Sequence, residues 1–238
     1  MTLPDGPLVL RDPALAIDPD EVLRFQGYKR GRDVPGADVR ALFDAALAEG
    51  RKLMAPRAVI RWAPVTRVAA DALEVEGQTL TIPRIGALWG DVEHVAVALC
   101  TIGAELERRV AELWEARELP LASMLDSVGS GAVESLAEYV NDVLCQQGLP
   151  ALKVTNRISP GYADWDVAEQ PRLFALCPGD AIGVVLNEAC VMTPGKSISL
   201  LAGAGRAARV DHYFSQCARC WMRDCDYRRT PARQTVHQ

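Results

Sequence analysis

Histidine is scarce in this chain: only His94, His212 and His237 occur among 238 residues. Proton transfer through an imidazole therefore has little to draw on. Long apolar runs are missing too. No stretch approaches the roughly 18–20 residues that a membrane-spanning helix needs. Positive charge is not in excess, with 26 Lys and Arg against 31 Asp and Glu and a formal net charge of −5. A protein that grips a nucleic-acid backbone needs a basic face, so that class is excluded. The N-terminal Met-Thr-Leu-Pro-Asp-Gly-Pro has neither a basic region nor an apolar stretch behind it, and no signal peptide is expected. Internal repeats are lacking as well. These absences point to a cytoplasmic protein with neither membrane nor nucleic acid as partner.

Cysteine, by contrast, is plentiful. Seven are present, and in a reducing compartment they read as thiols or metal ligands in preference to disulfides. Cys100, Cys145, Cys177 and Cys190 are scattered, and each alone reads as a small apolar residue. Cys217, Cys220 and Cys225 are clustered as Cys-x2-Cys-x4-Cys.

Apolar residues make up 49 % of the chain and charged ones 24 %, ordinary values for a globular domain able to bury a core. Asp18-Pro19-Asp20-Glu21 has the form of a helix start, with Asp18 as N-cap, Pro19 at the first helical position and Glu21 at the third. Val39, Leu42, Phe43, Ala46 and Leu47 recur at helical spacing and predict a helix over 38–52, ending at Gly50. The period then changes. Ala58–Trp62, Ala72–Val75 and Thr79–Ile82 are short and partly β-branched, with Glu76-Gly77 as the turn of a hairpin between the last two. Val92–Leu99 reads as a buried strand, followed by helices over 104–118 and 121–147. The middle of the second helix, residues 127–134, is crowded with small residues that let another helix or a ligand approach the backbone. Extended structure is expected at 154–159, 182–186 and 197–201. Strands and helices mix without a βαβ rhythm. The fold class is therefore α+β, a mainly antiparallel twisted sheet with flanking helices, followed by a C-terminal Cys-rich metal-binding segment.

Arg157-Ile158-Ser159-Pro160-Gly161-Tyr162-Ala163-Asp164-Trp165 is the most unusual stretch. An arginine can hold a carboxylate with two parallel hydrogen bonds, and Pro-Gly fixes a turn that offers backbone groups to a ligand. Tyr162 and Trp165 add flat surfaces for stacking or for covering a cation. An amino-acid-like or nucleoside ligand would suit such a set. The plainer alternative is a Pro-Gly turn flanked by a surface arginine and core aromatics.

The Arg-x-x-x-Gly-Tyr pattern resembles the signature of the reactivation domain of cobalamin-dependent methionine synthase, where it contacts S-adenosylmethionine. Three further segments resemble that family in the same order. Ala132–Tyr139 is similar to the family helix whose first glutamate binds the ligand's ammonium group, and Glu134 is the matching residue. Leu186–Ser199, with its Met192-Thr193-Pro194, is similar to the family's Leu-Thr-Glu…Met-x-Pro…Ser-Val-Ser segment. Glu21–Tyr28 resembles the N-terminus of free-standing members. The resemblance spans roughly residues 17–205, which implies a reactivation-like domain over 1–205 and a separate Cys-rich segment over 206–238. It implies cofactor contacts at Glu134, Arg157, Gly161 and Tyr162, with no catalytic side chain, because the protein's task is to bring a methyl group beside a partner's cobalt.

Two departures accompany it. The fused domain's N-terminal aspartate, which also holds the amino group, has no obvious counterpart, and Asp126 is a candidate substitute. Leu200-Leu201-Ala202-Gly203-Ala204-Gly205 stands where the fused domain has a tyrosine segment.

The terminal thiolates suit tetrahedral zinc or an iron–sulfur cluster. Cys190, Cys177 and His212 are candidates for the fourth ligand. A 4Fe-4S cluster on Cys190, Cys217, Cys220 and Cys225 is favoured over zinc, and reduced thiols without metal are the plain alternative. No Asp-x-His-x-x-Gly corrinoid motif occurs. The resemblance thus implies an accessory component of a split methyltransferase. It would bind S-adenosylmethionine and support reductive methylation of cob(II)alamin on a partner corrinoid protein, with flavodoxin or ferredoxin as electron donor. A metal-stabilised adaptor and an activator of another corrinoid methyltransferase, such as a demethylase system, are the competing readings.

Overall fold

A computed structural model describes residues 3–29, 32–148, 150–162 and 164–210. In chain order the elements are β1 (Leu8–Arg11), α1 (Pro19–Phe25), α2 (Ala37–Leu53), β2 (Arg57–Val68), β3 (Ala72–Val75) and β4 (Gln78–Thr81). Next come α3 (Ile85–Trp89), β5 (Gly90–Asp91), β6 (His94–Thr101), α4 (Glu105–Glu115) and the long α5 (Leu119–Gly148). The chain continues through β7 (Lys153–Val154), α6 (Gln170–Leu176), β8 (Val185–Leu186), β9 (Met192–Thr193), β10 (Ser197–Gly205) and β11 (Ala207–Ala208). Among the described residues no helix is long and apolar enough to cross a membrane.

The main sheet runs β4-β3-β2-β6-β10-β7, with β1 also paired to β2, and every pairing is antiparallel. Strand β2 is long enough to serve two neighbourhoods. Its Arg57–Ile60 stretch pairs with β1, and after a register shift between Val65 and Arg67 it pairs with β3. Glu76 and Gly77 both have positive φ, 46° and 79°, the backbone of a tight hairpin turn, so the expected β3–β4 hairpin forms where Glu-Gly stands.

Alternation along the central strands divides the core in two. From β6, Val95, Val97 and Leu99 enter one layer with Trp89, Trp165, Leu173 and Ile182. Ala96, Ala98 and Cys100 enter the other, with Ala202 and Ala204 of β10 and the buried face of α5. On that second face β6 presents only small side chains, flanked in the same layer by the larger Ile60, Trp62 and Leu200, and α5 brings Ala122, Ala132 and Ala137 along with Leu125, Val128 and Leu136. Small residues on both surfaces let the helix sit close to the sheet.

The small residues in the middle of α5 admit further helices. A Cβ on Gly131 would stand 2.7 Å from Cγ2 of Val22 in α1, and one on Gly129 would stand 2.8 Å from Cδ2 of Leu106 in α4. On β10, a Cβ at Gly203 would meet Trp89 and Val92 at 2.8 Å each. Within the Gly/Ala run at 202–205, Gly203 is thus kept small by the Trp89 ring, Gly205 by the backbone of Asp91 and Val92, and the two alanines face the α5 side.

Three sequence expectations change. Residues 182–186 are not one strand: a short 3-10 turn over Gly179–Ile182 ends at Gly183, whose φ is +72°, and only Val185–Leu186 is extended. The stretch 154–159 contributes only β7 and a single bridge from Ile158 to Leu201. The buried strand expected from Val92 begins at His94, and Val92 instead packs against β10. Residues 211–238, with Cys217, Cys220 and Cys225, lie outside the described residues.

The two glycine contacts differ in what can give way. Val22 is short and β-branched, whereas the δ-methyl of Leu106 sits at the end of a longer side chain. Gly131→Ala should destabilise the protein by about 1–2 kcal/mol despite its better helix propensity, and Gly129→Ala by less, as denaturant unfolding of the two variants would measure.

Candidate functional site

One stripe of α5 is polar. Gly131, Glu134, Ser135, Glu138, Tyr139 and Asp142 recur at helical spacing and share a face. Opposite them runs the segment before α1, with Ala14, Leu15, Ala16 and Asp18, and Glu21 from α1 itself. Between the two lies a cleft of about 380 Å³. Its position follows from the packing: Val22 fits against Gly131, so α1 meets α5 at that point and the chain leading into α1 is held beside the stripe.

Asp18, Glu21, Glu134, Glu138 and Asp142 all line this cleft. So many carboxylates facing one space repel each other and create a negative potential. Glu21 is paired with Arg24 at 2.9 Å, and part of the rest is offset by Arg157, on the loop after β7. Its Nη2 donates to Oε2 of Glu134 at 3.0 Å and to Oε1 of Glu138 at 2.8 Å. The Arg157 side chain is only 13 % exposed. Burial alone would lower its pKa, but the charges of Glu134 and Glu138 and their hydrogen bonds outweigh that and raise it above the usual arginine value. The guanidinium is therefore a permanent cation held against two carboxylates that line the cleft, while Arg157 itself is not among the lining residues.

The loop is fixed by backbone pairing. Ile158 and Leu201 exchange N–H···O bonds at 2.8 Å each, the Gly161 N–H donates to the Trp165 carbonyl at 2.7 Å, and the Trp165 N–H donates to the Tyr162 carbonyl at 3.0 Å. Gly161 has φ +87°, and a Cβ there would meet nothing within 4 Å, so the backbone conformation, rather than lack of space, calls for glycine. Tyr162 is half-exposed. Gly161 and Tyr162 lie further along this loop than Arg157, and all three are outside the lining of the cleft. Trp165 corrects an expectation. It is 3 % exposed and packed in the core layer on the opposite side of the sheet from α5, so its ring offers no surface to a ligand.

The Met192–Ser199 run is stitched to the helices. The Glu107 carboxylate accepts the backbone N–H groups of Gly195 and Lys196. The Lys196 ammonium donates to the Ser130 hydroxyl at 2.8 Å and pairs with Asp126 at 2.8 Å. Asp126 is thus committed to Lys196 and does not line the cleft. The N-terminal aspartate that does line it is Asp18, whose side chain also caps α1 by accepting the Asp20 N–H at 2.9 Å. Helical spacing from Glu134 could have identified Glu138, Tyr139 and Asp142 in the sequence. Nothing local could have brought Asp18 and Glu21 to them.

Among the described residues no group of three or more His, Cys, Asp or Glu is placed to hold a metal. Cys190 sits in a turn where its N–H donates to the Asn187 carbonyl and its carbonyl accepts from Gln170. Its expected companions Cys217, Cys220 and Cys225 fall outside the described residues, as does His212. Cys177 is a core residue, and burial pushes its thiol up to about 11, as it pushes Cys100 up to about 12. Both stay protonated near neutrality, which makes them inert packing groups.

No family model matches the chain, and no curated protein matches it. The fold is similar to the crystal structure of the MetH reactivation domain bound to AdoHcy, with a TM-score of 0.66 and 17 % sequence identity over 89 % of this chain and 81 % of that one. The α+β architecture with its curled antiparallel sheet is that of the reactivation domain.

The geometry sets the roles of the two glutamates apart. Arg157→Ala leaves the largely buried Glu134 without this partner and should lower stability by about 1–3 kcal/mol. Glu138→Gln, at an exposed rim position, should change it by under about 0.5 kcal/mol. Denaturant unfolding of both variants checks the contrast.

Proposed function

We propose that this protein is an accessory reactivation component of a split cobalamin-dependent methionine synthase, and that the cleft between α5 and the segment before α1 binds S-adenosylmethionine. The observation that carries the reading is the pairing of Arg157 with Glu134, a residue that lines the acidic cleft, in a fold similar to that of a reactivation domain bound to AdoHcy. A cleft of about 380 Å³ falls in the range of small-ligand sites. Its surplus of carboxylates complements a ligand that carries both a sulfonium and an ammonium.

In this reading Arg157 holds the ligand carboxylate, and Glu134 with Asp18 holds the ammonium. Tyr139 offers a flat surface within the cleft, and on the Arg157 loop the half-exposed Tyr162 offers another and the backbone at Gly161 polar groups. The protein contributes orientation, and no side chain takes or gives a proton. The methyl group of S-adenosylmethionine and one electron from a donor such as flavodoxin or ferredoxin together convert cob(II)alamin on the partner to methylcobalamin, releasing S-adenosylhomocysteine. A 4Fe-4S cluster on Cys217, Cys220 and Cys225 with Cys190, or zinc in its place, completes the proposal, as does a corrinoid-binding partner module. The same site would serve another corrinoid methyltransferase, such as a demethylase system, equally well.

A second reading rests on a specific observation. Arg157 is already engaged by Glu134 and Glu138, an arrangement that also suits a metal-stabilised adaptor which has kept the fold and given up the ligand. Calorimetry separates the two. Wild-type protein should bind S-adenosylmethionine, and Arg157→Ala should weaken binding by roughly tenfold or more, the worth of a charge-assisted pair. No heat from wild type, even with the corrinoid partner present, favours the adaptor. In the same preparation, made without oxygen, iron and sulfide in equal amounts support the cluster, and stoichiometric zinc without iron overturns it.

A further inference from the structure

Arg157 donates to Glu134 and Glu138 through the same nitrogen, Nη2. The two acceptors are one helical turn apart on α5 and both line the cleft, yet their surroundings differ. Glu134 is 18 % exposed and Glu138 is 62 % exposed. A guanidinium grips a carboxylate best through two parallel N–H groups. With both N–H groups of Nη2 given to protein carboxylates, a third carboxylate cannot take the two-pronged grip until one acceptor leaves. Glu138 is the one that can leave, because its exposed carboxylate turns into water with little loss, whereas Glu134 would give up a charged pair in a largely buried setting.

We propose that Glu138 is a built-in competitor for the ligand carboxylate. In the empty site it occupies Arg157, and on binding it is exchanged for the ligand, one Arg157–carboxylate pair breaking as another forms. Glu134 stays in place as the constant partner of Arg157 and the holder of the ligand's ammonium. This makes Glu138 a specificity-determining residue: only a ligand with its own carboxylate recovers the lost pair. The empty site also keeps its arginine satisfied, and this limits capture of cations that lack an acid group.

The inference rests on the S-adenosylmethionine reading, and its test uses two ligands so that the failures differ. Calorimetry compares S-adenosylmethionine with decarboxylated S-adenosylmethionine on wild type, Glu138→Gln and Glu138→Ala. Removing the competitor should tighten S-adenosylmethionine binding by roughly twofold to tenfold in both variants, the worth of one rim ion pair. The decarboxylated ligand should gain nothing. Unchanged or weaker S-adenosylmethionine binding in the variants overturns the proposal, as does an equal gain for both ligands. If neither ligand binds any of the three proteins, the functional reading fails and this inference with it. Glu138→Ala keeps the test open should the glutamine variant retain a hydrogen bond to Arg157.

Discussion

The close seat of α5 on the sheet is the constraint from which the rest of the molecule follows. Ala96, Ala98 and Cys100 of β6, with Ala202 and Ala204 of β10, form a shallow strip beside the larger Ile60, Trp62 and Leu200, and the helix brings alanines of its own together with Leu125, Val128 and Leu136. Bulkier residues on either side would raise the helix away from the sheet. At this distance the loop after β7 passes near enough for Arg157 to reach the helix, and Gly131 admits Val22 so that α1 docks on the other flank. The two sides of the cleft, the α5 stripe and the chain entering α1, are therefore both fixed by packing on one helix, and the polar stripe is what remains after the buried faces are spent.

The stripe is where packing and function part company. A row of carboxylates along a helix facing a second acidic segment does nothing for stability. Arg157 answers only part of that charge, and it does so from a nearly buried position with a satisfied guanidinium. A surplus of negative charge around an enclosed space is the arrangement expected where a cationic small molecule supplies the balance. The second core layer, around Trp89 and Trp165, carries no such surplus and serves as structure.

Much of this was legible in the sequence wherever a local pattern decided the outcome. The β3–β4 hairpin follows from Glu76-Gly77, α2 follows from its apolar periodicity, and α5 forms where a long helix with small residues in its middle is expected. Glu134 and Arg157 were singled out by motif, and the structure brings them into contact. What could not be read depended on faces and distances. The apolar run at 182–186 fits a strand or a tight turn equally well, and Gly183 with its positive φ decides for the turn. Trp165 looked available for stacking because sequence does not say which side of the sheet a loop residue joins. Asp126 looked nearer to Glu134 in sequence than Asp18 does, but it lies two helical turns away and is drawn to Lys196, while Asp18 reaches the cleft across more than a hundred residues.

The central claim is that the acidic cleft holds the amino-acid end of S-adenosylmethionine between Arg157 and Glu134. A crystal structure of the protein grown with S-adenosylhomocysteine tests it most directly. The account predicts the ligand in the cleft beside Tyr139, its carboxylate on Arg157, its ammonium on Glu134, and Glu138 turned out into solvent. A ligand bound elsewhere, or an empty cleft with Arg157 still held by Glu138 at saturating ligand, would contradict it.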